Sequence, residues 1–563
     1  MQYVTNSAND RLHAICEREW TWRREQFAGY DDEDSQGQPA DHLPHVDVTT
    51  QIRRAAYWSD VLQTLGYIPE HELDDDAAID LAVHRTQVEA LLDGQRFRTW
   101  EMPLNGDSAF WSDLGFTARR PHHSLAELEQ YLGQLRDIPR YFNEQIDNMR
   151  AGLARGFSVP RVTLDGRAAS LTPFFQSHGA EDNLFFTPLR NLPGPLEAGD
   201  GDRLRAEACR IIQHDVMPAY AHLHDFLRDV YVPQARPTLA AADLPNGEAY
   251  YRAQIRRFTT LDMRPADIHA IGLNEVELLH DEMEQTIART GFKGGFRAFL
   301  DYLRHEPRFY ATSAEQLLKQ AAWIAKRVDA CVGDFIGRLP RQRFAISPVP
   351  DELAESYTSG RGGPGMYLLN TSHLSSRPLY ALTALTLHEA SPGHALQMSL
   401  AAEMEGLPDF RRLVHLSAYT EGWALYCEKL GVEMGLYETP YDHFGYLAYQ
   451  AWRACRLVVD TGIHHYGWSR EKARNYLRDN TALSEIEVCS EVDRYIAWPG
   501  QALSYYLGML CITQARARAE QALGARFDLR HFHDAILAQG SVPLPVLERS
   551  VDRFIAQHAH RHD

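Results

Sequence analysis

Residues 385–397 read LTLHEASPGHALQ, and this stretch decides how the site-bearing part of the chain must fold. His388 and Glu389 open it like the helix of a zinc peptidase, in which a second histidine follows the first after four positions. Here the second histidine is His394, six positions after the first. Because each helical residue turns about 100°, a sixth position lies about 120° around the helix, whereas a fourth lies about 40° away. A straight helix would therefore direct His394 away from a metal held by His388.

Pro392 changes this expectation. Proline lacks an amide N–H, and its ring clashes with the carbonyl oxygen four residues earlier, here that of His388. The helix therefore cannot continue unchanged through residues 390–393, which read ASPG. A local bulge or loop there would absorb the extra residues and return His394 to the face of His388, as wide turns do at functional sites. The alternative at this point is a pair of unrelated helix histidines.

A second stretch offers a third ligand. Catalytic zinc takes three protein ligands, histidine or carboxylate, and keeps a fourth position for water. Residues 418–428 read AYTEGWALYCE, and Glu421 comes far enough after His394 for one turn and a second, antiparallel helix. Glu428 follows seven positions later on nearly the same helical face, so it is either a supporting neighbour or a rival ligand. The flanking Trp423 predicts a largely buried helix, in which an unpaired carboxylate would be costly and a metal would remove that cost.

The bulk composition excludes several functions. The chain has 563 residues, 44% hydrophobic and 24% charged, which suits a large domain or two to three packed lobes. Its net charge of −19 argues against binding to nucleic acids or anionic membranes, since both require a basic surface. The N-terminal stretch lacks a basic segment followed by an apolar one, so we expect no signal peptide. No run of about 18 apolar residues exists, so we expect no membrane span.

The seven cysteines are scattered, odd in number and without a CxxC pair. This pattern predicts reduced thiols in a cytoplasmic protein, and argues against a disulfide framework or a cysteine-ligated zinc. We expect each cysteine to behave as a small buried hydrophobic residue.

Most of the chain has helical periodicity, with apolar residues recurring at three- and four-residue spacing. The clearest such stretches are 124–154, 203–230, 265–290 and 313–338. The best strand candidates, 344–350 and 366–371, lie just before the opening motif. The predicted fold class is therefore mainly α, with a small β-sheet next to the zinc-site helix. We divide the chain into an N-terminal helical lobe, 1–340, and a C-terminal catalytic lobe, 341–563, that form one catalytic unit.

The two motifs resemble the signatures of a bacterial family known as domain of unknown function 885 (DUF885), HExxPGH followed by EGWALY. Further stretches fit the same pattern: 362–371 (GGPGMYLLNT), 453–469 (RACRLVVDTGIHHYGWS) and 494–508 (RYIAWPGQALSYYLG). The resemblance is strong over the C-terminal half and loose over the N-terminal half. The family is grouped with gluzincin-type zinc metallopeptidases, and it resembles the helical oligopeptidases in layout.

The resemblance implies a fold of two helical lobes around a deep channel. It also implies one zinc ion per chain, held by His388, His394 and Glu421. Glu389 would then be the general base that takes a proton from water and passes it to the leaving group.

A residue that donates a hydrogen bond to the developing oxyanion is expected near such a site. Tyr505 matches the family position for this donor, and His464 is a weaker candidate. The resemblance departs at position 506, where relatives usually carry lysine and this chain has Tyr506. Which tyrosine stabilises the oxyanion therefore stays open, and Tyr506 is also a candidate for substrate binding. Core packing is the alternative for both.

Two arginines are candidates for substrate binding. Arg453, Arg456 and Asp460 lie three and four positions apart on a predicted helix. They are expected to form a salt-bridged helix face. The functional alternative is an arginine that clamps a substrate carboxylate with its planar guanidinium.

The glycine-rich run 359–365 (SGRGGPG) lacks the GK[ST] ending of a phosphate-binding loop. It is expected to let a backbone approach a ligand. The following strand, which carries Tyr367 as a substrate-binding candidate, is expected to pair with an extended peptide by strand addition.

Together these residues predict a zinc-dependent hydrolase, and a peptidase that cleaves short peptides in the cytoplasm is the preferred interpretation. The alternatives are a zinc amidase or esterase acting on a non-peptide small molecule, or a non-catalytic binding protein that keeps the helical shell. The expected partner is an oligopeptide or small amide, with neither nucleic acid nor membrane. The sequence predicts no particular oligomeric state.

Overall fold

The computed structural model describes residues 7–28, 40–105, 108–192, 199–350, 354 and 357–559. Within these residues the chain is mainly helical with one small sheet, which confirms the predicted fold class. The chain forms two compact units, Met1–Tyr250 with Ile496–Trp498 and Tyr251–Tyr495 with Pro499–Asp563. The channel expected between two lobes stays a prediction.

The first unit contains helices α1 to α10 and the start of α11. Their bounds are α1 Ala8–Gln26, α2 Val48–Leu65, α3 Asp75–Phe97, α4 Phe110–Thr117, α5 Leu125–Ala154, α6 Thr172–Phe175, α7 Thr187–Arg190, α8 Asp200–Ile211, α9 Met217–Phe226, α10 Val232–Gln234 and α11 Gly247–Thr259. Wider π-helical turns, Ile212–Val216 and Leu227–Tyr231, join α8 to α9 and α9 to α10. Each precedes a helix with proline in its first turn, where the missing amide N–H disturbs regular helical hydrogen bonding.

The second unit contains the remaining helices and the sheet. The helix bounds are α12 Pro265–Thr290, α13 Phe296–His305, α14 Ala314–Phe335, α15 Leu379–Glu389, α16 His394–Ala402, α17 Asp409–Arg412, α18 Ser417–Glu433, α19 Pro440–His464, α20 Arg470–Asn480, α21 Glu485–Ala497, α22 Ser504–Leu523, α23 Leu529–Leu537 and α24 Leu544–Ala559. Helix α12 packs along α19, and α18 packs along α22. Because the first of these pairings holds α12 in the second unit, the boundary predicted at 340/341 falls inside that unit.

The sheet has three strands, β1 Ala345–Pro348, β2 Gly360–Gly363 and β3 Met366–Leu369, in the order β1-β3-β2. Strand β3 pairs parallel with β1 and antiparallel with β2. The strands predicted within 344–350 and 366–371 are confirmed, whereas β2 was not predicted as a strand. Strand β3 lies at the centre, so the prediction that it adds a peptide strand is wrong, because both its edges are already paired.

The structure bears on the predicted reduced thiols and on the predicted absence of a membrane span. All seven cysteines are free thiols. Among the described residues, no helix combines the length and the apolar character that crossing a bilayer requires.

Candidate metal centre

The helix that carries the opening motif is interrupted where the sequence predicts it. Helix α15 ends at Glu389 and α16 begins at His394. The turn between them contains a cis peptide bond between Ser391 and Pro392. The Gly393 amide donates to the Leu387 carbonyl at 3.0 Å, which folds the turn back onto the last turn of α15.

This turn leaves no space for a side chain at Gly393. A Cβ atom there would lie 1.9 Å from the His388 carbonyl oxygen and 2.4 Å from that of Leu387. The EGWALY motif closes the turn from the other side, because Trp423 donates its indole N–H to the Pro392 carbonyl at 2.8 Å. The two motifs are therefore parts of one structure.

The turn brings both histidines to Glu421 on α18. The Glu421 Oε2 atom lies 3.4 Å from His388 Nε2 and 3.3 Å from His394 Nε2. The two imidazole rings stand nearly perpendicular, at 86°, with centroids 4.9 Å apart. Ligand atoms about 2.0–2.2 Å from a tetrahedral zinc ion are separated by roughly 3.3–3.6 Å. The two measured separations match an edge of such a tetrahedron.

The chemistry of these atoms also fits a cation. Glu421 Oε2 is buried and, in the described chain, has no hydrogen bond of good geometry. Burial alone would raise the pKa of Glu421, but the neighbouring His394 and His388 outweigh it and hold this pKa well below its usual range. A buried carboxylate oxygen between two imidazole nitrogens is a donor set that zinc accepts. His388, His394 and Glu421 could therefore hold a zinc ion.

Glu428 supports the site from behind His388. Its Oε1 atom lies 2.8 Å from His388 Nδ1, while its Oε2 accepts a bond from Gln450 at 3.3 Å. With Nδ1–H donated to Glu428, Nε2 is the His388 nitrogen that faces Glu421, and it can bind a metal once it has lost its own proton. Burial lowers the pKa of His388, but Glu421 and Glu428 outweigh it and raise this pKa to about 9. Of the two roles left open for Glu428, the geometry favours support.

Glu389 is anchored by strand β2. The Gly362 amide donates to Glu389 Oε2 at 2.7 Å. A Cβ atom on Gly362 would lie 1.8 Å from the Glu389 carbonyl oxygen, so the strand can pass this close only because the residue is glycine. The glycine-rich run thus brings a strand backbone against Glu389, while its predicted approach to a ligand stays a prediction.

Tyr505, on the first turn of α22, lies beside the two histidines. Its ring is nearly parallel to that of His388, at 18°, with centroids 6.5 Å apart. The α18–α22 packing that places it depends on facing glycines, since a Cβ on Gly422 would lie 2.5 Å from Gly508. Within the described residues, the Tyr505 hydroxyl makes no hydrogen bond. It is therefore free to donate one to a ligand.

The structure places three other candidates in internal contacts. The Tyr506 hydroxyl donates to Glu275 at 2.9 Å. His464 is fully buried, and its Nε2 lies 2.7 Å from the Tyr495 carbonyl oxygen. Tyr367 is also fully buried and pairs with Gly362 in the sheet. None of these contacts is to a residue of the histidine–glutamate cluster.

The two arginines are buried close to the site, but the predicted helix-face salt bridge is wrong. Arg456 donates to Glu491 at 2.8 Å, and its guanidinium lies 4.4 Å from the centre of the Tyr505 ring. Asp460 instead accepts bonds from Tyr251 and from the Gly500 amide. The bonds to Asp460 and Arg456 come from residues distant in sequence, so the three- and four-residue spacing did not reveal them.

Arg453 is also buried, and it stacks on two aromatic rings of its own helix. Its guanidinium lies 4.1 Å from the centre of the Trp452 ring and 4.5 Å from that of Tyr449. Its Nη2 lies 3.8 Å from Glu428 Oε1, too far for a direct hydrogen bond. The guanidinium therefore places a positive charge beside the Glu428–His388 pair.

This chain matches one protein family in sequence, and solved structures share its fold. A sequence model of the family described as "Bacterial protein of unknown function (DUF885)" matches residues 25–551. No curated protein matches the chain. A crystal structure of the "putative lipoprotein from Colwellia psychrerythraea" is 27% identical, with a TM-score of 0.89, and covers 98% of this chain and 100% of its own.

A second solved structure is more distant in sequence. The "putative lipoprotein of unknown function from Shewanella oneidensis" is 17% identical, with a TM-score of 0.72, and covers 97% of this chain and 99% of its own. This likeness shows the fold alone. The word lipoprotein belongs to those two proteins, and the cytoplasmic location expected for this chain stays a prediction.

Proposed function

The chain belongs to the bacterial DUF885 family, whose description assigns no activity, and from its site we propose that the protein is a zinc-dependent hydrolase that cleaves short peptides. The observation that carries this proposal is the position of Glu421 Oε2, 3.4 Å from His388 Nε2 and 3.3 Å from His394 Nε2. These three atoms would hold the zinc ion and leave a fourth position for water or substrate. A bound zinc ion supplies a Lewis acid that lowers the pKa of water to about 7 and polarises a carbonyl group.

Glu389 is the proposed general base. The Gly362 amide bonds one of its carboxylate oxygens at 2.7 Å and so fixes the group next to His388. The second oxygen can take a proton from the attacking water and pass it to the departing amine. A fixed carboxylate is suited to this role because it needs no reorganisation during the reaction.

Glu428 and Tyr505 complete the proposed machinery. Glu428 holds the Nδ1 proton of His388, which keeps Nε2 as the ligand atom. The Tyr505 hydroxyl is the proposed donor to the oxyanion that forms on the substrate carbonyl. The Arg456 guanidinium against the Tyr505 ring restricts how far that ring can move.

The outer edge of β2, which pairs with no other strand of the described sheet, supports a peptide as the substrate. Ser359 accepts a bond from the Asn370 amide, so it bonds toward β3, whereas the Gly362 amide points away to Glu389. Backbone direction alternates along a strand, so the Gly360 amide and carbonyl groups face the same outer edge as the Gly362 amide, which is itself bonded to Glu389. An extended peptide could pair there by strand addition, next to the general base.

The proposal is tested by metal analysis and a peptide-library digest read by mass spectrometry. We expect about one zinc per chain, peptide cleavage that a chelator abolishes, and cleavage restored by added zinc. Glu389→Gln should keep the metal and lose cleavage by about 10²–10⁴-fold. Wild-type protein without zinc, or cleavage that a chelator leaves unchanged, would contradict the proposal. Including small esters and amides in the screen identifies a non-peptide hydrolase if peptides are left intact.

A further inference from the structure

A cavity in the second unit lies one helical turn away from the proposed metal centre. Its walls come from α14, α15 and α19, from the ends of β2 and β3, and from the segment between α20 and α21. Its volume is about 40 Å³. That is room for roughly three water molecules. A space of this size suits an aliphatic side chain with about three or four carbon atoms, such as valine or leucine.

The cavity and the metal centre share one face of α15. The cavity is lined by Ala381, Leu382 and Leu385, which recur at helical spacing. The same spacing continues to His388 and Glu389. His388 follows Leu385 by three residues, which is about 4.5 Å along the helix axis.

Strand β2 connects the cavity to the site a second time. Ser359, immediately before the strand, lines the cavity, and Gly362 bonds Glu389. These two residues are three positions apart, which is about 10 Å along an extended backbone. A peptide paired along this edge, with its cleaved bond near Glu389, would pass the cavity two or three residues farther on.

The lining chemistry selects a neutral, apolar group. Leu317, Leu369, Pro378 and Leu483 form much of the wall. The two charged residues of the lining are paired internally, since Arg377 donates to Ser359 at 3.1 Å and lies 3.9 Å from Glu487. Glu487 in turn accepts bonds from the Ser484 amide and hydroxyl. Because Arg377 and Glu487 are satisfied by these internal contacts, burial of apolar surface is the main contribution that the cavity can make to binding.

We propose that this cavity is a specificity subsite that receives one aliphatic side chain of the peptide substrate, of valine or leucine size, two or three residues from the cleaved bond. The inference rests on the proposed peptidase function for the identity of the ligand. It does not follow from the metal site, because a metal centre alone leaves the side-chain preference open.

Two substitutions of neighbouring lining residues test the subsite in opposite directions. Ala482→Leu, in the segment between α20 and α21, should fill the cavity, and Leu483→Ala should enlarge it. Ala322→Leu, at an exposed position on α14, is the matched control. Far-ultraviolet circular dichroism and thermal melting establish that each variant is folded and fit for comparison.

The readout is the side-chain preference of the zinc-loaded enzyme in a peptide-library digest. At one substrate position, Ala482→Leu should reduce cleavage of leucine and valine peptides about tenfold relative to alanine, as expected for one lost hydrophobic pocket. Leu483→Ala should shift the preference at the same position toward phenylalanine and methionine. Ala322→Leu should leave it unchanged. Wild-type preferences in both cavity variants would overturn the subsite while leaving the chelator-sensitive peptidase in place.

A binding measurement separates failure of the subsite from failure of the peptidase. Calorimetric titration of leucine-containing and alanine-containing peptides into Glu389→Gln, with and without Ala482→Leu, needs no turnover. If wild-type protein cleaves nothing, the peptidase is refuted. The subsite is still supported if Ala482→Leu weakens only the leucine peptides, and overturned if both peptides bind equally or neither binds.

Discussion

Trp423 donates its indole N–H to the carbonyl oxygen of Pro392 at 2.8 Å. This bond joins the centre of the EGWALY motif to the turn inside the HExxPGH motif. Trp423 follows Glu421 by two residues, and the turn lies between His388 and His394. The contact therefore ties the helix that carries the carboxylate to the turn that positions the second histidine.

Gly393→Ala should destroy the metal centre. Its Cβ would lie 1.9 Å from the His388 carbonyl oxygen, so the turn must open and His394 must move. We expect zinc content to fall to near zero, with a loss of stability of about 1–3 kcal/mol from overpacking. Gly295→Ala is the matched control, since a Cβ there meets no atom within 4 Å. Wild-type zinc content in Gly393→Ala, measured by elemental analysis, would refute the role of this turn.

Glu428→Gln should weaken zinc binding without abolishing it. The variant loses the negative charge that holds the Nδ1 proton of His388. We expect about 10–100-fold lower affinity in competition with a chelating dye, the usual effect of removing a partner of a metal-binding histidine. Glu284→Gln, at an exposed position on α12, serves as the control. A loss as large as that of Glu421→Gln would instead make Glu428 a ligand.

Tyr505→Phe should slow peptide cleavage and leave the zinc content unchanged. Removal of one oxyanion donor costs about 2.7–4 kcal/mol in comparable sites, a fall of about 10²–10³-fold in kcat. Tyr506→Phe is the adjacent comparison, because its hydroxyl is bonded to Glu275. If Tyr506→Phe loses turnover and Tyr505→Phe does not, the assignment of the two tyrosines is reversed.

Asp460→Asn should change how stability depends on pH. Burial raises the pKa of Asp460 from 3.8 to about 7, despite bonds from Tyr251 and Gly500 that lower it. The folded protein therefore keeps a proton that the unfolded chain loses above about pH 4, so this residue contributes a loss of stability as pH rises from about 4 to 7.

The asparagine variant removes this loss, which amounts to about 1.4 kcal/mol for each pKa unit. Relative to wild type, Asp460→Asn should gain stability on going from about pH 5 to about pH 8, because it lacks the buried group that must ionise. Thermal unfolding midpoints of both proteins at both pH values provide the measurement. Equal shifts in the two proteins would show that Asp460 does not titrate in this range.

The break in the helix between His388 and His394 could be predicted from the sequence, because it depends on interactions between residues close together in the chain. Proline at position 392 prevents a straight helix whatever surrounds it. The periodicity of apolar residues similarly predicted the helices and two of the three strands. Strand β2 was missed because glycine has low strand propensity, and a run of glycines has no alternating pattern to detect.

Contacts between distant residues could be decided only by the tertiary structure. The sequence left Glu428 as ligand or support, and the packing of α18 against α15 places it behind His388 at 2.8 Å. Helical spacing paired Arg456 with Asp460, but partners from other elements, Glu491 and Tyr251, lie closer to them.

The sequence by itself thus determined the helical fold class and the broken helix, and it predicted His388, His394 and Glu421 as metal ligands while leaving the role of Glu428 open. The tertiary structure alone decided which side chains surround those residues, which strand lies at the edge of the sheet beside Glu389 and where an apolar cavity lies. The physical reason is the distance along the chain over which each effect acts. Backbone propensity, proline geometry and helical period act over a few residues, whereas burial, ion pairing and strand order depend on segments that meet only after the chain has folded.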